Sequence, residues 1–246
     1  MALHGIRPRG PFPELQGRGA LRRRRTRNGS VIEFMVFFPA FLELSGKECL
    51  VVGGGDVALQ KTRDLIAARA RVTVVATRFR PEFRKHKGLR RLRRAFRPGD
   101  VPAGPGRPWL VVAATDDEAL HARIADLCRR RRVWVNVVDR PAFCDFIVPS
   151  VARRGLVTVA VSTGGQSPAL AKFIGGKIRA SLGPEVGRLG RLLADLRPAL
   201  RRLPMAERRE LLSCFVSDGA LAEIRRSGAV ALRRYKKMIL NSVPRE

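Results

Sequence analysis

The chain predicts an α/β fold built on a doubly wound parallel sheet, and three observations lead there. Strand-like and helix-like stretches alternate between residues 48 and 139. The strands are short continuous apolar runs, as parallel strands covered on both faces require. The first of them breaks into three glycines that open a helical pattern, the arrangement that cradles a dinucleotide's pyrophosphate. A small strand-containing region and a helical C-terminal domain complete the expected architecture.

In chain order, residues 1–34 read as a disordered basic extension. They are rich in Gly, Pro and Arg, include the run Arg22 to Arg25, and lack periodic apolar residues. The glycine loop follows the run Cys49-Leu-Val-Val52. Gly53 permits the tight turn, Gly55 lets the backbone approach phosphates, and Ala58 lets the helix pack close to the strand. The helix N-terminus offers unpaired N–H groups to the anion. Gly53, Gly54, Gly55, Asp56 and Val57 are therefore candidate cofactor-binding residues. A helix is expected over 57–69 and a second strand over 71–76, completing a βαβ unit. Residues 89–96 are a weaker strand candidate, and the Pro/Gly-rich 98–108 is a loop. A buried strand is expected at 109–114, a helix at 118–131 and another strand at 133–139.

Beyond this, 146–149 and 156–161 read as two strands separated by a turn at 153–155. Ser167-Pro168 starts a helix, a hydroxyl cap followed by Pro at the first helical position. The rest is helical, broken at Gly183-Pro184, Pro204 and Ser227-Gly228. The expected domains are 35–148 for the cofactor, 149–183 for a small strand-containing region and 184–246 for helices.

Candidate sites lie at strand ends, which face the ligand crevice in open α/β sheets. Asp139 is placed to accept a proton from substrate, or else to cap the Arg140-Pro141 turn. Thr115 and Asp116 line the crevice, or an aspartate there caps the next helix. Thr77 and Arg78 end the second strand, where NAD enzymes usually carry an acid that binds ribose. None is present, and Arg78 suits a 2′-phosphate. Ser162, Thr163 and Gly164, before the Ser167 cap, form either a carboxylate cradle or a well-capped turn. Lys172, Lys177, Arg179, Arg153 and Arg154 are carboxylate receivers or a solvated basic face.

The net charge of +28 calls for an acidic partner. Nucleic acid is not favoured: no recognition motif is present and aromatics make up only 6%. A nucleic-acid-binding or NAD-sensing regulator remains the low-ranked alternative. Cys49, Cys128, Cys144 and Cys214 have no metal-ligand spacing and suit a reducing, cytoplasmic setting. No apolar run is long enough to span a membrane.

These segments, in this order and spacing, resemble the N-terminal module of siroheme synthases, the precorrin-2 dehydrogenase/sirohydrochlorin ferrochelatase family. The matching pieces include Val51-Val-Gly-Gly-Gly-Asp-Val-Ala58, Lys61 with Arg63, Ala113-Ala-Thr-Asp-Asp117, Asn136-Val-Val-Asp139, Phe146-Ile-Val-Pro-Ser150 and Ser162 to Ala171. The resemblance implies a Rossmann-like NAD domain, a dimerisation region at 149–183, a helical domain and a homodimer. It implies NAD-dependent oxidation of precorrin-2 to sirohydrochlorin, and in some members insertion of Fe2+ to give siroheme. A dehydrogenase without chelatase activity is the alternative. The family's key aspartate matches Asp139, and its cofactor positions match Gly53 to Val57, Thr77 and Arg78. The family's usual Asn is His121 here, expected to be structural. A polycarboxylate tetrapyrrole substrate accounts for the basic charge, held in part by Ser162, Thr163, Gly164 and Lys172.

Overall fold

The computed structural model describes residues 37–244 in full, together with the backbone of 21–25 and 31–35. Within the segment expected to be disordered, β1 (Leu21–Arg25) pairs antiparallel with β2 (Val31–Met35). Nine residues of that segment, 21–25 and 31–34, are therefore strand, and the rest of it lies outside the described residues. The chain divides into two units at Val148/Pro149.

The first unit holds a five-stranded parallel sheet. Its strands are β3 (Glu48–Val52), β4 (Arg71–Ala76), β5 (Arg90–Arg93), β6 (Leu110–Ala113) and β7 (Trp134–Val137). Their spatial order is β5-β4-β3-β6-β7. The chain winds outward from β3 to one edge, then returns to β6 and winds the other way. The order reverses between β3 and β6, the switch point where such sheets bind ligands. This is the Rossmann-like fold class expected from the sequence.

Period-two alternation explains why one short strand feeds two cores. Cys49 and Val51 pack with Ala58, Leu59 and Leu65 of α1 (Asp56–Ala67). Leu50 and Val52 pack on the opposite face with Ile124, Ala125 and Cys128 of α2 (Glu118–Arg131). Burial pushes the thiol pKa of Cys49 up to about 11 and that of Cys128 to about 12, so both act as small apolar residues. β5 carries Arg90, Arg91 and Arg93 on an edge strand, which discourages pairing with another chain.

The second unit opens with a hairpin, β8 (Ser150–Arg154) and β9 (Val157–Val161), in which Arg154 pairs with Val157. The expected strand at 146–149 does not form. Those residues continue a segment that runs back along β7, and its partners there are partly side chains. The turn is therefore Gly155-Leu156, not 153–155. Helices α3 (Pro168–Ser181), α4 (Pro184–Asp195), α5 (Arg197–Leu200), α6 (Met205–Phe215), α7 (Asp218–Ser227) and α8 (Ala229–Asn241) follow. The breaks at Gly183-Pro184, Pro204 and Gly228 fall where expected.

Leu189, Leu196, Phe215, Ile224, Tyr235 and Ile239 form the core of α4–α8. The Phe215 and Tyr235 rings meet edge-on with centroids 5.1 Å apart. Arg225 on α7 binds the buried Glu185 carboxylate on α4 through both Nε and Nη2. Ile224, fully buried beside that pair, is the tightest test of this packing. Ile224→Ala should lower stability by about 2–5 kcal/mol, read as a shift of the denaturation midpoint with the m-value unchanged.

Candidate functional site

The carboxyl ends of β3, β4 and β6 open onto one cleft of about 660 Å³. It is lined by Gly53 to Val57, Thr77 and Arg78, and Thr115 and Asp116. All nine candidate cofactor residues thus meet in one place. The wall also includes Arg94 and Phe96 from beyond β5, which sequence reasoning missed. The one available signal was their position just past a strand end near the switch point.

The three glycines have different causes. Gly53 has φ 130°, and a Cβ there would lie 2.0 Å from the Ala114 carbonyl oxygen. β3 and β6 approach too closely for any side chain. A Cβ on Gly54 would meet the Arg78 carbonyl oxygen at 1.9 Å, and Arg80 N–H donates to the Gly54 carbonyl at 2.9 Å. The loop is thereby tied to the chain leaving β4. A Cβ on Gly55 would meet nothing. That open space, at the N-terminus of α1, is what a phosphate needs to reach the backbone. The residues present therefore fit a dinucleotide.

Asp56, in the first turn of α1, sits where its charge would oppose a phosphate. Arg80 holds it in a bidentate pair, with both contacts at 2.8 Å. Arg94 forms a similar pair with the nearly buried Asp100, at 2.9 and 2.5 Å. Arg78 has no hydrogen-bond or ion-pair partner among the described residues. It is an exposed cation on the wall where a ribose-binding acid is usual. Thr115 Oγ1 accepts from Asp117 N–H, and Asp117 caps α2 by accepting from Leu120 N–H at 2.9 Å. The capping role thus falls to Asp117, leaving Asp116 on the cleft wall.

Asp139 follows the carboxyl end of β7, one strand beyond β6. It is exposed, with φ 58°. Asp is among the few residues that tolerate this left-handed region. Its carboxylate has no hydrogen-bond or ion-pair partner among the described residues, so it does not cap the Arg140-Pro141 turn. Its neighbour Arg140 pairs with Glu118 at the start of α2. Lys61 on α1 is half-buried, and burial pushes its pKa down against the pull of Asp64 and Asp139. The sequence quoted Lys61 only as part of a motif; the structure puts it within electrostatic reach of Asp139.

His121 is buried on α2, and neither ring nitrogen has a hydrogen-bond partner. In the second unit, Ser162 Oγ accepts from Gly164 N–H at 3.0 Å, and Thr163 Oγ1 from Ser167 N–H at 2.9 Å. Ser167 Oγ caps α3 through Leu170 N–H. These hydroxyls stitch the strand-to-helix turn. Lys172 is exposed on α3. Arg154 and Arg179 bind the Leu182 and Val151 carbonyls, tying α3 to the hairpin. Among the described residues there is no group of three or more His, Cys, Asp or Glu placed to hold a metal, and no helix long and apolar enough to cross a membrane.

Switch-point cleft, glycine cradle and helix N-terminus define a nucleotide-binding α/β protein with an added helical unit. Residues 40–150 match the family model described as "Putative NAD(P)-binding". The siroheme synthase of Thioalkalivibrio sulfidiphilus is 42% identical over 198 residues, covering 79% of this chain and 40% of that protein. The siroheme synthase of Salmonella typhimurium is 38% identical over 191 residues, covering 77% and 42%. The chain thus spans about two fifths of the length of these curated relatives. Among solved structures, the precorrin-2 dehydrogenase SirC superposes with a TM-score of 0.65 at 23% identity, covering 83% of this chain and all of that one, a likeness of fold. The chain is thus similar to siroheme synthases in sequence over part of their length, and to SirC in fold.

Two tests follow from this geometry. Gly55→Ala should fold normally yet lose nucleotide affinity, whereas Gly53→Ala should lose both; calorimetric titration and thermal melts separate them. Burial pushes the Asp100 carboxyl up, but the Arg94 pair and Arg97 N–H outweigh it and hold its pKa below the usual range. Its stabilisation is therefore full above the unfolded carboxyl pKa and fades as pH falls through the lower folded value. Asp100→Asn should flatten that acid limb of a stability-against-pH curve.

Proposed function

We propose that this chain oxidises precorrin-2 to sirohydrochlorin with NAD, and that it acts as a homodimer in the cytoplasm. The observation that carries the reading is the exposed carboxylate of Asp139, without a hydrogen-bond or ion-pair partner among the described residues, at the end of β7 where Val138 N–H bonds the Ala113 carbonyl of β6. The names of the relatives, siroheme synthase and precorrin-2 dehydrogenase, support the substrate. The four free cysteines suit a reducing compartment.

When bound, the nicotinamide nucleotide supplies a hydride acceptor. The chain's own residues do the rest. The Gly53–Val57 loop and the N-terminus of α1 would hold its pyrophosphate. Thr77 and Arg78 would bind on the ribose side, and Thr115 and Asp116 line the other wall of the cleft. Asp139 accepts the proton that leaves the substrate carbon. Ser162, Thr163, Gly164 and Lys172 receive substrate carboxylates through N–H, O–H and ammonium donors.

Ferrous iron insertion is the second part of the proposal, with Fe2+ as a substrate. Two pyrrole protons must leave, and Asp139 takes them one at a time, passing the first to solvent before it receives the second. The free Arg78 favours NADP as a second reading of the nucleotide, since a guanidinium pairs bidentately with a phosphate.

NADH release from precorrin-2, with NADP run in parallel, tests the proposal. Asp139→Ala should lower turnover by about 10²-fold or more while nucleotide affinity, measured separately, is retained. Unchanged turnover overturns the role of Asp139. Sirohydrochlorin with Fe2+ and no nucleotide reads the chelatase half; siroheme formation no faster than without protein removes it.

A further inference from the structure

β7 is an edge strand, bonded on one side only, to β6. In a parallel strand the N–H and C=O of a given residue both point to the same side, and the side alternates. Val138 N–H donates inward to the Ala113 carbonyl at 3.0 Å, so Val135 and Val137 face outward. An open edge of this kind leaves backbone groups unpaired. The returning chain satisfies them. Asp145 N–H donates to the Val135 carbonyl at 2.8 Å, and Val135 N–H donates to Asp145 Oδ2 at 3.0 Å. Val137 N–H donates to Cys144 Sγ at 3.2 Å. The Cys144 thiol in turn faces the Val137 carbonyl at 3.2 Å and the Arg140 carbonyl at 3.3 Å. Asn136 Nδ2 donates to the Phe146 carbonyl at 2.9 Å. Asp139, at φ 58°, sits inside the turn that these contacts close.

We propose that Cys144 is a positioning residue for Asp139, its thiol pinning residues 137 and 140 on either side of that aspartate and so fixing where the carboxylate points. The inference rests on the reading of Asp139 as the proton acceptor. A thiol suits the task because one atom both donates and accepts. Burial raises the Cys144 pKa, an effect partly offset by the Val137 N–H, so the sulfur keeps the proton it donates. Among the described residues, no other side chain hydrogen-bonds the backbone at both 137 and 140. The backbone closes the turn itself, Arg140 N–H donating to the Val137 carbonyl at 3.2 Å; Asp145 and Asn136 tie the strand to the segment after the turn, and Cys144 is the side chain that ties both ends of the turn to that segment.

The test compares Cys144→Ala, Cys144→Ser and Asp139→Asn in the full chain, with precorrin-2 and NAD. Alanine removes donor and acceptor together; serine keeps both. Cys144→Ala should lower kcat by about tenfold or more, the scale of a small misplacement of a reacting group. Its KM for the nucleotide and its melting temperature should stay near the parent values. Cys144→Ser should recover most of kcat, which a purely steric role would not produce. Asp139→Asn should be inactive. Parent-like kcat in Cys144→Ala beside an inactive Asp139→Asn overturns this inference alone. A kcat loss in Cys144→Ala matched by an equal rise in nucleotide KM, with no rescue by serine, also overturns it, since the fold as a whole would then be affected. Full activity in Asp139→Asn overturns the underlying reading of Asp139.

Discussion

The cleft depends first on the approach of β3 to β6 at Gly53. The Ala114 carbonyl occupies the place where a Cβ would be, so the two strands meet at a separation that only glycine allows. That separation sets the mouth of the cleft. It also sends the chain into α1 at once, so the helix N-terminus faces the switch point. Gly54 adds the second tie, to the chain leaving β4 through Arg78 and Arg80. The cradle is thus held by backbone contacts from the strands on either side of β3. Its shape does not depend on long side chains, and it is formed before a ligand arrives, which limits the ordering that binding requires.

Asp139 is exposed, unpartnered and in a left-handed conformation, three features that would normally let a residue wander. A strained backbone position persists only where its surroundings over-determine it. Here those surroundings are the β6–β7 ladder before it, the Arg140–Glu118 pair at its flank and the Cys144–Asp145 return after it. The carboxylate has no hydrogen-bond partner among the described residues, only the nearby charge of Lys61, yet the backbone that carries it is tied on three sides. A group fixed in place without a hydrogen bond is suited to receiving a proton, because no native hydrogen bond must break first.

The parts of this arrangement that were legible in the sequence are those set by local rules. Continuous apolar runs gave β3, β4, β6 and β7, and the glycine spacing gave the cradle. Ser167-Pro168 gave the start of α3. The misread stretch, 146–149, has the same apolar character as a strand, but its neighbours 144 and 145 bond β7 partly through side chains, and no periodicity encodes that. The importance of Cys144 was hidden for the same reason. It follows from β7 being an edge strand, and strand order is a property of the whole sheet. Arg94 and Phe96 were missed because a wall two strands from the glycine loop is assembled by topology. Ser162 and Thr163 were seen in the right turn, but their oxygens turned out to hold its backbone.

The charge of +28 takes a different meaning once the pairs are known. Two arginines near the nucleotide cleft are neutralised, Arg80 by Asp56 and Arg94 by Asp100. In the second unit Arg154 and Arg179 are held by backbone carbonyls. The strongest local contacts therefore build structure and do not wait for an anion. What remains is a broad excess on exposed faces, carried by residues such as Arg90, Arg91, Arg130 and Lys172. Spread charge of this kind raises the local concentration of a polyanion through the field of the whole protein, and salt screens it over about 10 Å. Among the described residues few cations near the nucleotide cleft are left without a close partner, of which Arg78 is the clearest. General attraction of an anion and specific contact with one are thus separate in this chain, the first resting on the bulk of its exposed arginines and the second open only to the few that the fold leaves unpaired.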